Sequence, residues 1–184
     1  LPKGAGEIPG VIVPRKTVGE VRKLLDESDG SVDVELSDTR IRFASANVTL
    51  VRKLIDGTFP DYERVIPTGN DKVLNVPCKE FASAVDRVST ISTEKSRAIK
   101  LAVNKGIVTL SATSPDAGSA TEEIEVDYKA TPLEIGFNSR YLLDITEQIN
   151  GSDVHFLMAD AGSPTLVRDG ADESALYVLM PMRV

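Results

Sequence analysis

KVLNVPCKEFASAVDRV (72–88) decides the fold, because a strand pattern passes directly into a helix pattern within it. Residues 72–77 have the composition of a strand, and Pro77, which has no N–H to donate, ends its ladder. From 79 to 91 the apolar residues recur at helical spacing. Their shared face consists of Phe81, Ala84, Val85 and Val88. The stretch therefore predicts a strand followed at once by an amphipathic helix.

The same order of elements occurs three times along the chain. After the helix at 79–91, strands are expected at 97–103, 107–113 and 121–129. A later copy has a strand at 133–138, a helix carrying Leu142, Ile145 and Ile149, and strands at 153–158, 164–168 and 174–180. An earlier copy has a strand at 11–14, a helix at 15–27, and strands at 32–36, 40–46 and 48–55.

The spacing of the strand-to-helix junctions makes this an internal repeat. Pro14, Pro77 and Asn138 occupy the equivalent positions, 63 and 61 residues apart. Each repeat has the order β-α-β-β-β, which predicts an α+β fold with helices on one face of antiparallel sheets. A lone unit would leave its helix stripe and sheet edges uncovered, so two units are expected to pair.

Pairing the second and third units gives a complete domain over 69–184, and leaves 1–68 as half of another domain. An odd number of units, together with a first residue that is Leu1 and not Met, predicts that the missing half lies upstream.

Composition excludes several functional classes. The formal net charge is −7, so the surface as a whole does not attract nucleic acid or anionic membranes, although a local basic face is compatible with it. The single cysteine, Cys78, excludes an internal disulfide framework and points to a reducing compartment. No apolar run approaches the roughly 20 residues of a membrane helix, and no signal peptide is recognisable. A cytoplasmic protein is expected.

The residue types of enzyme sites are scarce. His155 is the only histidine, so neither a Ser-His-Asp arrangement nor a His-rich metal site can be assembled. Cys78 is placed at a helix start, but Arg15 and Ser139 occupy the equivalent repeat positions, which argues against a nucleophile there. No glycine-rich phosphate loop is present. A non-catalytic protein without metal or cofactor is predicted.

Four stretches, in order along the whole chain, resemble the bacterial sliding clamps, the beta subunits of DNA polymerase III. They are VIVPRK (11–16), DGTFPDYERVIP (56–67), GFNSRYLLD (136–144) and YVLMPMRV (177–184). The resemblance implies the DNA-clamp fold, in which two subunits of three similar domains form a ring with helices around duplex DNA. The chain would then be one and a half clamp domains: the second half of the middle domain plus connector at 1–68, and the C-terminal domain at 69–184.

The resemblance also implies a pocket for a short, largely apolar peptide with a Gln and a terminal Leu-Phe-like pair, through which polymerases, the clamp loader and repair factors are tethered. By matching positions the pocket consists of Pro60, Arg64, Val65, Asn138, Tyr141, Gly162, Pro164, Val178, Leu179, Met180, Pro181, Met182 and Arg183. Two family features are unmatched: a Gly-His-Arg-Leu-type loop of the middle domain, and an aromatic residue near Ser96. Weakened peptide binding is therefore expected.

The remaining implied sites concern DNA and the ring. Phosphate contacts that do not depend on base sequence are expected from exposed helix faces. The candidates are Arg15, Lys16, Arg22, Lys23, Lys79, Arg87 and Arg140. Thr90 and Ile91 match the ring interface, which in the family joins the third domain to the first domain of the other subunit. A homodimeric ring is expected of the full-length protein but not of this chain.

Two other interpretations remain open at this point. One is a non-catalytic repeat domain with a purely structural or scaffolding role, unrelated to replication. A Cys-dependent hydrolase is disfavoured by the single histidine.

Overall fold

The computed structural model describes residues 9–26, 31–45, 48–92 and 97–184. Their internal contacts divide the chain into two compact units, 1–61 and 62–184. The sequence placed the division at 68/69, and the contacts place the short 3₁₀ helix Tyr62–Val65 with the second unit. Ser96, where the aromatic family residue is unmatched, lies outside the described residues.

The first unit contains one helix, α1 (Arg15–Asp26), and a three-stranded antiparallel sheet in the order β1-β2-β3. The strands are β1 (Asp33–Leu36), β2 (Arg40–Ser45) and β3 (Val48–Lys53). The predicted strand at 11–14 is wrong, because its one described pairing is an isolated bridge between Ile12 and Ile55. Two apolar residues of α1 are exposed, Val18 to 57% and Leu25 to 45%.

The second unit contains two helices, α2 (Cys78–Ser89) and α3 (Ser139–Thr146), which contact each other. Nine strands in its described residues complete it. They are β4 (Lys72–Pro77), β5 (Ala98–Asn104), β6 (Ile107–Ser114), β7 (Gly118–Glu125), β8 (Asp127–Tyr128), β9 (Leu133–Asn138), β10 (Asp153–Met158), β11 (Thr165–Asp169) and β12 (Tyr177–Leu179).

The two repeats of the second unit exchange their first strands. One sheet has the order β7-β6-β5-β9 and the other β12-β11-β10-β4-β8. β9, the first strand of the third repeat, therefore pairs with β5 of the second, and β4, the first strand of the second repeat, pairs with β10 of the third. Neither sheet is thus built from a single repeat: the five-stranded sheet contains β4 and β8 from the second repeat, and the four-stranded sheet contains β9 from the third.

The core lies between these sheets and the two helices. All four residues predicted for the apolar face of α2 are buried, as are Leu74, Phe137 and Phe156 on the strands. The rings of Phe81 and Phe156, one from each repeat, have centroids 5.2 Å apart. The second and third repeats therefore contribute side chains to one common core.

Several predicted elements have different limits, among them α2, which was predicted at 79–91 and spans Cys78–Ser89. The strand expected at 121–129 divides at Val126, whose N–H donates to the Gly106 carbonyl, and the following β8 joins the other sheet. α3 ends at Thr146, and tighter turn bonds continue to Ile149. The strand expected at 174–180 is confined to β12, because Asp172 holds a turn by accepting from the N–H of Ser174. No helix in the described residues is long and apolar enough to cross a membrane.

Candidate peptide-binding and DNA-facing surfaces

The C-terminal tail, residues 180–184, connects the edges of the two sheets. β12 pairs with β11 at the edge of the five-stranded sheet, and Met182 then donates its N–H to the carbonyl of Gly136 on β9, at 2.8 Å. A Cβ on Gly136 would lie 2.5 Å from Val184 Cγ1 and 2.7 Å from the Met182 carbonyl oxygen. Glycine at 136 is therefore what lets the tail lie against β9.

Side chains of β12 and the tail differ in exposure. Leu179, one of the predicted pocket residues, is 4% exposed and belongs to the core. Val178 is half-buried, and Met180 is 63% exposed. A strand places successive side chains on opposite faces, which accounts for the difference. Met180 and Val184 are thus the exposed apolar side chains of this segment, and Val178 and Met182 are half-buried.

The loop before β11 is fixed by one carboxylate. Asp160 accepts from the N–H groups of Gly162 and Ser163, both at 2.8 Å, and from the Ser163 hydroxyl at 2.9 Å. These hydrogen bonds, that from the Gly162 N–H foremost, hold the pKa of the Asp160 carboxyl below its usual range. Pro164 follows, and its carbonyl accepts from the Asn70 side chain at 2.9 Å. The two predicted wall residues, Gly162 and Pro164, therefore have defined positions.

A groove of about 950 Å³ lies within the second unit, between the tail, this loop and the outer face of the four-stranded sheet. Four predicted pocket residues line it: Gly162, Pro181, Met182 and Arg183. Sequence reasoning missed the other wall, which includes Lys100, Ser111 and Glu134. Alternation places these side chains on an outer sheet face, but only the path of the tail onto β9 brings them into a groove.

The other predicted pocket residues lie outside that groove. Asn138 caps α3, because its side-chain oxygen accepts from the Arg140 N–H at 3.0 Å, and Tyr141 in the first turn is 54% exposed. Arg64 and Val65 lie on the 3₁₀ helix at the start of the second unit, where Val65 is exposed. Pro60 is exposed and belongs to the first unit.

The seven cationic residues predicted to face DNA are all exposed. Each helix carries one as its second residue: Lys16 on α1, Lys79 on α2 and Arg140 on α3. A helix N-terminus has a partial positive charge and free N–H groups, which favour a phosphate at the same place. Arg15 begins α1, and Arg22 and Lys23 lie further along that helix.

Arg87 differs from the other six because it is engaged with a carboxylate. Its Nε donates to Oε2 of Glu122 on β7 at 3.0 Å, and its Nη2 donates to Oε1 of the same residue. The hydrogen bonds raise the pKa of Arg87 and lower that of Glu122. Arg87 therefore joins α2 to β7, and its charge is partly neutralised within the protein.

The two residues predicted for the ring interface directly follow α2. Thr90 donates its hydroxyl and its N–H to the carbonyl of Arg87, which caps the helix, and Ile91 is half-buried. β7 is an edge strand of its sheet and packs against α2. The two predicted interface residues therefore follow a helix that packs against an edge strand.

Cys78 is a core residue. Its thiol is buried and donates to the Thr146 carbonyl at 3.6 Å. Burial, followed by the charges of Asp169 and Asp153, raises the pKa of the Cys78 thiol, which disfavours the nucleophilic thiolate. In the described ranges, no group of three or more His, Cys, Asp or Glu residues is placed to hold a metal ion.

The paired repeats, with their helices and antiparallel sheets, form the DNA-clamp fold. A crystal structure of the Caulobacter crescentus beta sliding clamp, with PEG bound to its putative beta-motif tethering region, matches all of this chain with a TM-score of 0.93 and 54% identity. A sliding clamp from Bartonella birtlesii bound to griselimycin matches 96% of the chain with a TM-score of 0.91. They are covered over 49% and 48% of their lengths.

The chain belongs to the DNA polymerase III beta subunit family. The model of the family's central domain matches residues 1–61, and that of its C-terminal domain matches residues 63–183. The beta sliding clamp of Caulobacter vibrioides is 54% identical over 100% of the chain and 49% of its own length. That of Escherichia coli K12 is 37% identical over 95% of the chain and 48% of its own length. The chain spans about half the length of the curated relatives it matches.

Proposed function

We propose that this chain is the part of a bacterial sliding clamp that binds partner peptides. The complete protein would be a non-catalytic processivity factor that encircles duplex DNA as a homodimeric ring in the bacterial cytoplasm, at the nucleoid. It would tether polymerases, the clamp loader and repair factors. The observation that supports this role best is the tail: apolar side chains stand exposed at a fixed chain end, next to a groove.

The chemistry of the tail suits a short apolar peptide. Met180 is exposed and flexible, so it can adapt to different anchor side chains, and Val178 provides a fixed apolar surface beside it. Arg183 offers a cation and hydrogen-bond donors to a polar part of the ligand. The Caulobacter clamp, whose structure has PEG at a putative tethering region, supports placing a ligand site in this family.

DNA contact is proposed for the helix faces. Lys16, Lys79 and Arg140 combine a side-chain cation with a helix N-terminus, and such sites bind phosphate without reading bases. Arg87 contributes less, since Glu122 already neutralises it. A weakly basic helix surface on an acidic protein is consistent with a clamp that must slide along DNA and not stop on it.

Fluorescence anisotropy with a labelled peptide that contains Gln and a terminal Leu-Phe pair tests the peptide site. Met180→Ala removes an exposed anchor contact, and we expect affinity to fall roughly tenfold, as at a binding hot spot. Val51→Ala is the matched control, because Val51 is also an exposed apolar strand residue but lies in the first unit. Equal affinities of Met180→Ala and the unmodified chain would contradict the proposed site, as would an absence of any binding.

A further inference from the structure

The groove extends beyond the residues that the proposed peptide site requires. At one end it shares Gly162, Pro181, Met182 and Arg183 with that site. From there it continues over the outer face of β5, β6 and β9, whose lining residues play no part in binding the apolar anchors. Its volume of about 950 Å³ is at the upper end of the range for ligand sites. A bound peptide therefore has a continuous path away from its anchor residues.

The floor of this path combines four small residues, Ala98, Ser111, Thr113 and Gly136, with the Lys100–Glu134 ion pair. Lys100 pairs across the sheet with Ser111 on one side and with Gly136 on the other, and Ala98 and Thr113 occupy the next row. Short side chains let another main chain approach the sheet closely, and the hydroxyls of Ser111 and Thr113 can hydrogen-bond to it. A polar, extended segment suits this floor better than a bulky apolar one.

Of the cationic side chains that line the groove, one forms an ion pair within the described part of the chain and the other does not. Lys100 forms an ion pair with Glu134, with Nζ and Oε2 3.2 Å apart. Arg183, on the opposite wall, is exposed, and no ion pair between described residues includes it. Glu134 is the acidic side chain of the lining, and Lys100 already engages it. A ligand carboxylate therefore finds one available partner, the Arg183 guanidinium, which binds carboxylates in a bidentate geometry.

We infer that this groove holds the flank of a bound partner peptide: a polar, extended segment next to the apolar anchors, with a carboxylate that pairs with Arg183. The inference rests on the proposed peptide site and adds a second recognition element to it. Anchors would provide the affinity common to all partners, and the flank would distinguish one partner from another.

The test compares three labelled peptides on this chain by fluorescence anisotropy. One contains only the anchor motif, the second adds Ser-Glu-Ser at either end, and the third has Gln in place of that Glu. We expect a Glu-containing extension at one end to bind roughly fivefold more tightly than the core peptide, as for an exposed ion pair, and the Gln version to lose most of that gain.

Two variants on the same strand locate the effect. Ser111→Tyr fills the groove and should remove the gain from the extension while leaving the core peptide unaffected. Thr109→Tyr is the matched control: it lies two residues away on the same outer face, outside the groove, and should change neither affinity.

Each result is decisive. If the core peptide binds but neither extension improves its affinity, or if Ser111→Tyr leaves the gain intact, the flank groove is wrong and the proposed peptide site stands. If the peptide with Gln binds as tightly as the peptide with Glu, the inferred ion pair between Arg183 and the ligand carboxylate is wrong. If no peptide binds at all, the proposed site and this inference both fail.

Discussion

Gly136 is the residue on which the position of the tail depends. Its carbonyl accepts the Met182 N–H, and no space remains for a Cβ between β9 and the tail. A glycine within a strand pattern is typical of a close approach by another chain segment, so a close approach at 136 was predictable. Which segment approaches could not be predicted, because residues 136 and 182 are distant in sequence and unrelated in pattern.

Gly136→Ala should displace the tail and destabilise the protein. Overpacking of this kind typically costs about 1–3 kcal/mol of unfolding free energy, which chemical denaturation can measure. Peptide affinity should fall as well, because Met180 and Arg183 would lose their fixed positions. Gly69→Ala is the matched control, since a Cβ there meets nothing within 4 Å. Equal stability of the two variants would show that the tail does not depend on Gly136.

Asp169 makes stability depend on pH. Its carboxylate accepts from the N–H groups of Ala171 at 2.8 Å and of Asn150 and Gly151 at 2.9 Å, and these bonds lower its pKa in the folded state. A carboxyl whose pKa is lower folded than unfolded contributes stability above its unfolded pKa, and that stability is lost as pH falls through the folded pKa.

Asp169→Asn should therefore destabilise the protein most at neutral pH, and the difference from the unmodified protein should shrink below about pH 4, near the ordinary Asp pKa. Denaturant unfolding at a series of pH values measures this. Asp116→Asn, in the exposed turn between β6 and β7, controls for the change of net charge. A difference that stays constant down to pH 3 would show that the charge on Asp169 is not what matters.

At the level of elements, the exchange of first strands is the feature that sequence could not predict. The buried face of α2 follows from apolar spacing, and Pro77 marks the end of β4 as expected. Alternation, however, shows only which face of a strand is buried and not which strand lies beside it. β4 and β9 have the same pattern whether they pair within their repeat or across to the other one.

Strand exchange predicts that the two repeats of the second unit cannot fold separately. Expressed alone, residues 62–130 lack the β10 partner of β4, and residues 131–184 lack the β5 partner of β9. We expect each fragment to be largely unfolded by circular dichroism and a mixture of the two to regain native signal. Phe81→Ala removes the ring that packs against Phe156 of the other fragment, so it should weaken this recovery. A fragment that folds alone would contradict the exchange.

In the candidate site, too, some residues could be predicted from the sequence and others come together only in the folded chain. The tail residues and the cations at the helix starts were predictable, because they repeat or match a family motif along the chain. Lys100 and Ser111 were not, because their place in the groove depends on the tail crossing to β9. The hydrogen bonds between Arg87 and Glu122 could not be predicted either, because they join a helix to a strand 35 residues away.

At the scale of the whole molecule, we expect that this chain does not assemble into a ring. The family's ring, as implied by resemblance, joins the C-terminal domain to the first domain of another subunit, whereas the family models matched here are the central and C-terminal domains. We therefore expect this 184-residue chain to be a monomer of 19.8 kDa by multi-angle light scattering. Ile91→Ser should leave that mass unchanged. A stable dimer that Ile91→Ser dissociates would contradict this, because the end of α2 would then bind another copy without a first domain.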